Sequence, residues 1–510
     1  MPGPACSMRT IDMNRCLYAA KVILLGLLTA QVLSTIQVYL SNADLYSKLT
    51  SIRDAGYFPV PNQQVMHRLQ AFSPALFGGL FFTLTVGAGL SLISFAVAWI
   101  WLRLLPRNRL LLIPFLLLWL GCLVYINRGG LCPMVSSYFL IIPPVVFAAT
   151  WRWAPEETKQ RAWLNGIIHI LPILLLALVW ASQLGNYMFI DIRDNLLLSN
   201  PLGKKINDFY YEYTFYPAEV FKPLADKILK TCDLEAVKQG PITQSLENTL
   251  RNHDYLNTGA QEAADINIAQ EGKDLLLQNK GATVLRVALQ DFFSRPSQVL
   301  TEFSSKIDPY VFFRQFTFLS LLVGFPVVLY VVLQALICAA SSFFLTPRIS
   351  SVIATVFCFL FGILLLIPVH LSKAKELDVQ KLTKALESER WQDRVSALKI
   401  MQDKPIDVAT FRTYQKMRAS PHVAERCWLA RALGVSRKPE TYDALIAFLD
   451  DPSPNVVSMA FYALGKKGDR RAIKEIMTRI EASDNWYNQW YAYKALRSLG
   501  WKQTGSKQRR

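Results

Sequence analysis

Runs of apolar residues long enough to cross a bilayer constrain this chain more than any other feature of it. They fall at residues 17–40, 74–102, 110–125, 138–150, 167–184, 311–345 and 352–371. A helix rises about 1.5 Å per residue, so about 20 largely apolar residues traverse a hydrocarbon core about 30 Å thick. Backbone polar groups find no water there, which makes helices the expected form. With 52% hydrophobic residues among 510, the chain reads as mainly α, a polytopic α-helical membrane bundle of about seven spans. Segment 138–150 is short and carries Pro143-Pro144, which leaves its full crossing open. The runs divide the chain into an N-terminal membrane domain (1–184), an extramembrane insert (185–309), a two-span unit (310–374) and a water-soluble tail (375–510).

Small residues recur every four positions in three of these runs: Gly26, Ala30 and Ser34; Gly79, Thr83, Gly87 and Ser91; Ser350, Ala354, Cys358 and Gly362. Such faces let helix backbones approach closely, so they are read as packing faces that also offer a route to an oligomer. The centres of the runs hold no Asp, Glu, Lys or Arg, and His169 and His370 lie near ends. Ion-coupled transport ordinarily places such groups at mid-depth, so a transporter subunit is the least supported class. Gln31 and Gln37 are the main polar exceptions, and interhelical hydrogen bonds are their expected role.

Lys and Arg in short loops are retained on the cytoplasmic side. Arg9, Arg15, Lys21, Arg103, Arg107, Arg109, Arg152, Lys159, Arg161 and Arg348 fall on one side, ten in all, against Lys48, Arg53, Arg68 and Arg128 on the other. The N-terminus is therefore expected in the cytoplasm and the insert outside. Seven spans carry the tail outside as well, whereas Lys373, Lys375, Lys381 and Lys384 favour the cytoplasm, so the tail's side stays open. The style of the chain points to a prokaryotic inner membrane, with membrane lipid as its surroundings.

The insert holds 13 Lys+Arg against 17 Asp+Glu, and the tail from Lys373 holds 27 against 16. An aromatic run, Phe209, Tyr210, Tyr211, Tyr213, Phe215, Tyr216 and Phe221, opens the insert and reads as an interfacial anchor. Beyond it, 242–252 reads as a helix, 265–268 and 283–287 alternate like half-buried strands, Glu271-Gly272 signals a turn and Pro296 begins another helix. The insert is thus a small α+β domain. The eight cysteines show no metal-ligand spacing, and only Cys132 and Cys232 are read as a candidate pair.

In the tail, Met401, Leu433, Leu464 and Leu496 stand 32, 31 and 32 residues apart, and the text around them agrees: VSALKIM, WLARALG, MAFYALG, YAYKALR. Tyr414, Leu445 and Ile476 repeat at 31 in the helices that follow. A period of this length is the sign of an α-solenoid, in which each helix pair buries its apolar face on its neighbours. Ala463, Leu464, Ile473 and Ile476 are expected in that core, and Gly434 and Gly465 are expected to end helices in a left-handed conformation. The segments SPHVAERCWLARALG and DPSPNVVSMAFYALGKKGDRRAIKEIM resemble HEAT repeats of the phycobilisome-lyase-like type over residues 390–500. That resemblance implies stacked helix pairs whose exposed ridge binds proteins. It implies no chemistry, and no bilin site is identified.

No catalytic constellation is present: there is no Walker A, GxGxxG or HExxH sequence, no cofactor is expected and no metal set is found. The leading reading is an integral membrane interaction or assembly protein, a scaffold that binds a protein partner through its HEAT-like tail. Candidate partner-binding residues are Trp486, Tyr487, Trp490 and Tyr491 with Lys466, Lys467, Arg470 and Arg471, because Trp, Tyr and Arg dominate interface energetics. Packing of the terminal helix on a neighbour is the plainer account of those rings. The basic run is read as a solvated face rather than a nucleic-acid site. The alternative is a membrane enzyme or handler of a lipid-linked substrate, with Asp44, Asp54, His67 and Arg128 gathered at the outer face.

Overall fold

The computed structural model describes residues 4–105, 108–155, 159–185, 187–237, 240–259, 264–371 and 379–505, with side chains of 4–15, 159–169, 347, 371 and 379–380 set aside. Arg107, Lys373 and Lys375, and the side chains of Arg9, Arg15, Lys159, Arg161 and His169, therefore lie outside the described residues. The chain is mainly helical with one small mixed sheet, and it divides into two compact units.

The first unit comprises Met1–Leu40, Ala75–Asn186 and Pro309–Ile367. Among the described residues six helices are long and apolar enough to cross a membrane: Cys16–Asp54, Phe72–Arg103, Arg109–Ile126, Pro133–Arg152, Val311–Ser341 and Arg348–His370. The helix Lys159–Ala181 adds a shorter described apolar stretch, Ile170–Ala181. Pro143 and Pro144 do not end their helix, which runs 20 residues, longer than the 138–150 expected from hydropathy. The first helix also outruns its apolar segment, continuing from Leu40 to Asp54.

Small residues set the helix contacts of this unit. A methyl group placed on Gly87 would stand 2.5 Å from Ala30 Cβ, and one on Gly26 would collide with Ser91 and Val146. On the last run Ser350, Ala354 and Cys358 are buried, and Gly362 faces Leu176. Gln31 makes the expected interhelical bonds: its Nε2 donates to Leu76 O at 2.8 Å and its Oε1 accepts from Thr83 Oγ1 at 2.7 Å. Gln37 is buried with neither amide atom hydrogen-bonded. Two indoles tie neighbouring helices, Trp119 Nε1 donating to Phe139 O and Trp180 Nε1 to Leu322 O, both at 2.8 Å.

The second unit comprises Ser41–Pro74, Tyr187–Asp308 and Pro368–Arg510. Its sheet holds β1 (Lys230–Asp233), β2 (Tyr255–Asn257), β3 (Ile266–Glu271), β4 (Asp274–Asn279) and β5 (Ala282–Ala288), in the order β2-β1-β3-β4-β5. β1 is parallel to both neighbours, and the β3, β4 and β5 meander is antiparallel. Alternation puts Ile266, Ile268, Leu275 and Leu277 on one face, under Leu246 and Leu250 of the helix Pro241–Asn252 and Phe303 of Pro296–Lys306. Gly272, at φ 62°, takes the positive-φ position that the tight β3–β4 turn demands.

The tail forms helix pairs whose first helices are Trp391–Asp403, Val423–Leu433, Pro454–Lys467 and Trp486–Ser498. The aligned Met401, Leu433, Leu464 and Leu496 are each fully buried, as are Ala463 and Ile476, while Ile473 is half-buried. Gly434 and Gly465 do not adopt the left-handed conformation expected of them. Gly434 has φ −63°, Gly465 lies inside its helix, and the left-handed cap is Gly468 at φ 76°. Their reason is proximity: a Cβ on Gly434 would lie 2.9 Å from Ala463 Cα, and one on Gly465 2.9 Å from Ala495 Cα, so they let successive first helices touch. Two arginines recur at the same period, each in an ion pair, Arg394 with Glu425 at 2.5 Å and Arg426 with Asp451 at 2.7 Å.

Candidate partner-binding site

The terminal helix Trp486–Ser498 is started by Asn485, whose side chain accepts from Asn488 N at 3.0 Å and so satisfies one of the free amides of the first turn. Its apolar face covers the preceding pair, and a strap from residues 58–62 locks that junction. Asn62 Nδ2 donates to the carbonyls of Ile480, Glu481 and Ser483 at 3.0, 3.1 and 2.9 Å. These oxygens lie at the C-terminal end of the helix Ala472–Ala482, where the last carbonyls have no intrahelical donor. Gln489 Oε1 accepts from Asn62 N at 2.8 Å, and Gln503 exchanges two bonds with the Phe58 backbone at 3.0 and 2.8 Å.

The candidate rings join in one cluster, two of them lining a cavity. Trp486 is 6% exposed and meets Phe215 and Tyr216 at centroid distances of 5.4 and 5.3 Å. Tyr487 meets Phe215 at 5.4 Å and Tyr211 at 4.6 Å. These two are held by the aromatic run of the insert, in which Phe215, Tyr216 and Phe221 are buried while Phe209 and Tyr210 stay exposed. Trp490 and Tyr491, in ring contact with each other at 4.9 Å, also reach Phe215 at 6.1 Å and Tyr487 at 5.1 Å respectively, and both line a cavity of about 450 Å³.

That cavity crosses three successive first helices. Arg431 lines it from one, Met459, Tyr462 and Lys466 from the next, and Trp490, Tyr491 and Lys494 from the last. Lys494 Nζ sits 3.7 Å over the Trp490 ring, and Arg431 lies 4.7 Å from the Trp428 ring and 5.4 Å from the Tyr462 ring, both within cation–π range. Burial, reinforced by the charge of Lys222, pulls the Lys494 amine below its ordinary pKa. Lys222 is 5.9 Å from the Trp490 ring and is paired with Glu219 at 2.8 Å. No Asp or Glu is among the described lining residues.

Of the basic candidates, exposed Lys466 alone lines this cavity. Lys467 turns inward, donating to Ser436 O at 3.0 Å and Thr441 Oγ1 at 2.8 Å, and burial lowers its pKa. Arg471 pairs with Asp469 at 2.6 Å over the Tyr442 ring, and Arg470 is exposed. Arg431, Tyr462 and Lys494 were not among the residues singled out from sequence. The signal that finds them is the repeat register itself, since each stands two positions before an aligned Leu.

The alternative set does not share one unit. Asp44, Asp54 and His67 belong to the second unit, where Asp44 pairs with Lys48 at 3.4 Å, Asp54 with Arg53 at 3.0 Å and His67 is exposed. Arg128 belongs to the first, stacked 4.3 Å over Tyr125. Among the described residues no cluster of three His, Cys, Asp or Glu side chains is arranged to hold a metal. Cys132 and Cys232 are buried thiols that form no disulfide with each other, and burial raises that of Cys232 far above its usual range.

A family model described as HEAT repeats matches residues 413–497, so the C-terminal region carries HEAT repeats, as its resemblance implied. No curated protein and no solved structure matches the chain.

Proposed function

We propose that this chain is an integral membrane interaction protein whose HEAT repeats bind a protein partner outside the cytoplasm. The observation that carries the reading is the open basic and aromatic cavity across three repeats, since HEAT repeats serve as protein-binding surfaces and Trp, Tyr and Arg are the residues that anchor interfaces. Cross-linking tests it. A photoreactive residue is placed at Tyr462, Lys466 or Ser498 in the full chain in native membranes, with lipid-facing Leu117 as control. The expected result is one discrete protein adduct from the array positions and none from Leu117. Absence of any protein adduct from all three array positions overturns the reading.

The second unit supports a topology as well. It is drawn from three stretches of chain, and a membrane cannot divide one folded body. Between the first and second stretches lie Phe72–Arg103, Arg109–Ile126, Pro133–Arg152 and Lys159–Ala181, and between the second and third lie Val311–Ser341 and Arg348–His370. Four crossings and then two return the chain each time to the same side. With the N-terminus cytoplasmic, insert and tail share the outer compartment. Cysteines at Ser245 and Lys474, both exposed, are then labelled together by an impermeant thiol reagent on intact cells, after replacement of the native cysteines. Labelling of only one of the two sinks this arrangement.

A further inference from the structure

The repeat register exposes a ladder on the first helices. Lys399, Arg431, Tyr462 and Lys494 occupy one position in successive repeats, and Ser396, Trp428, Met459 and Tyr491 occupy another. Its first half is already filled by the chain itself. A helical segment after the fifth apolar run, Met188–Ile192 continuing through Arg193–Leu197, presents Asp191 and Asp194 three residues apart. Asp191 accepts from Lys399 Nζ, and Asp194 accepts from Trp428 Nε1 at 2.8 Å. All of these side chains are buried, and Arg193 adds a 2.7 Å pair to Asp194. The ladder thus takes a helix with carboxylates at i and i+3, one on a cation and one on an indole N–H.

Its second half is basic and aromatic, with no acidic side chain among the described lining residues: Arg431 and Lys494 stand where Lys399 does, Met459 and Tyr491 stand where Trp428 does, and Trp490 lies one position off the ladder. Arg431 Nε and Trp490 Nε1 are buried without hydrogen-bond partners, and Lys494 meets the Trp490 face rather than a carboxylate. Buried donors left unbonded are destabilising. Charged acceptors relieve that cost most strongly.

We propose that the cavity over the last three first helices receives an acidic helical segment of a partner protein, whose carboxylates meet Arg431 and Lys494 as Asp191 meets Lys399. This rests on the partner-binding reading and names the chemistry of the partner.

The test uses the purified full chain in detergent and a fluorescent helical peptide with Asp at i and i+3 on an Ala, Leu and Gln background. Saturable binding that weakens at least tenfold in Arg431→Gln/Lys494→Gln, weakens likewise when both peptide Asp residues become Asn, and falls with added salt is the expected result. Lys474→Gln, on an exposed second helix, leaves affinity unchanged, and an unchanged thermal transition shows that the double variant is folded. If that variant unfolds, Lys494→Gln alone, at an exposed residue, carries the test with the same readout. Equal binding of the Asn peptide, displacement by millimolar inorganic phosphate, or a dimer of the chain that Arg431→Gln/Lys494→Gln dissociates each overturns the proposal. Cross-links from the array that persist while the peptide ignores Arg431 and Lys494 sink this proposal and leave the partner reading standing; loss of both sinks both.

Discussion

Gly87 and Lys399 are both buried at helix contacts, one in the apolar first unit and one in the second, and they hold their surroundings together by opposite means. At Gly87 the contact exists because nothing is there: backbones approach until Ala30 fills the space a side chain would need. At Lys399 it exists because two charges meet, the lysine pairing with Asp191 over the faces of Trp428 and Tyr187. Where all side chains are apolar, hydrophobicity cannot select one neighbour over another, so shape must. Where water surrounds the body, apolar faces find each other readily, and paired charges fix which segment docks where. The contrast predicts different responses to substitution.

The largest effect is expected at the charge pair. Lys399→Ala strands Asp191 in the interior and should cost about 3–5 kcal/mol, whereas Asp191→Ala/Lys399→Met should cost clearly less because no charge is left alone. Calorimetric unfolding of the purified chain measures both, and a double variant as unstable as the single one breaks the comparison. A smaller loss, about 1–3 kcal/mol, is expected for Gly87→Leu, through overpacking against Ala30. Resistance to unfolding by SDS reads it, with the transition of the second unit unmoved.

The smallest effect is a pH dependence confined to the second unit. Burial alone would raise the Asp265 carboxyl, but Lys48 and Lys227 outweigh it and hold its pKa below the ordinary carboxylate value. A depressed carboxylate pKa stabilises the fold above the unfolded value, about 3.9, and that contribution disappears as pH falls through the folded one. In Lys227→Gln the acid loss should therefore begin at higher pH, and in Asp265→Asn it should be blunted. Fluorescence of Trp486 and Trp490 against pH records it. An identical acid limb in Lys227→Gln would remove the electrostatic side of the contrast.

Much of this architecture was legible because it is periodic. The helices, the alternating strands β3 and β5 and the repeat spacing all follow from local pattern, and so do the ring pair Trp490 and Tyr491. β1 was not legible: Lys230, Thr231, Cys232 and Asp233 are polar or small and show no alternation, yet all four are buried between two strands. The left-handed role expected at Gly434 and Gly465 failed for a related reason. Gly434 does end its helix, but what requires glycine at both positions is the close approach of Ala463 and Ala495 in the next repeat. The partners of Lys399 and Trp428 lie 208 and 234 residues away, beyond the reach of any local period.

The strap at Asn62 and Gln489 has a consequence in time. The two residues are 427 positions apart, so the amide that completes one end of the repeat array is made near the start of synthesis and waits for its partner until near the end. Under the proposed topology, every intervening apolar helix must have been threaded before they meet. The body therefore closes only on a chain whose insertion has run to completion. A nascent chain stalled short of residue 486 presents Phe215 and Tyr216 bare of Trp486, a surface that quality-control machinery is suited to detect.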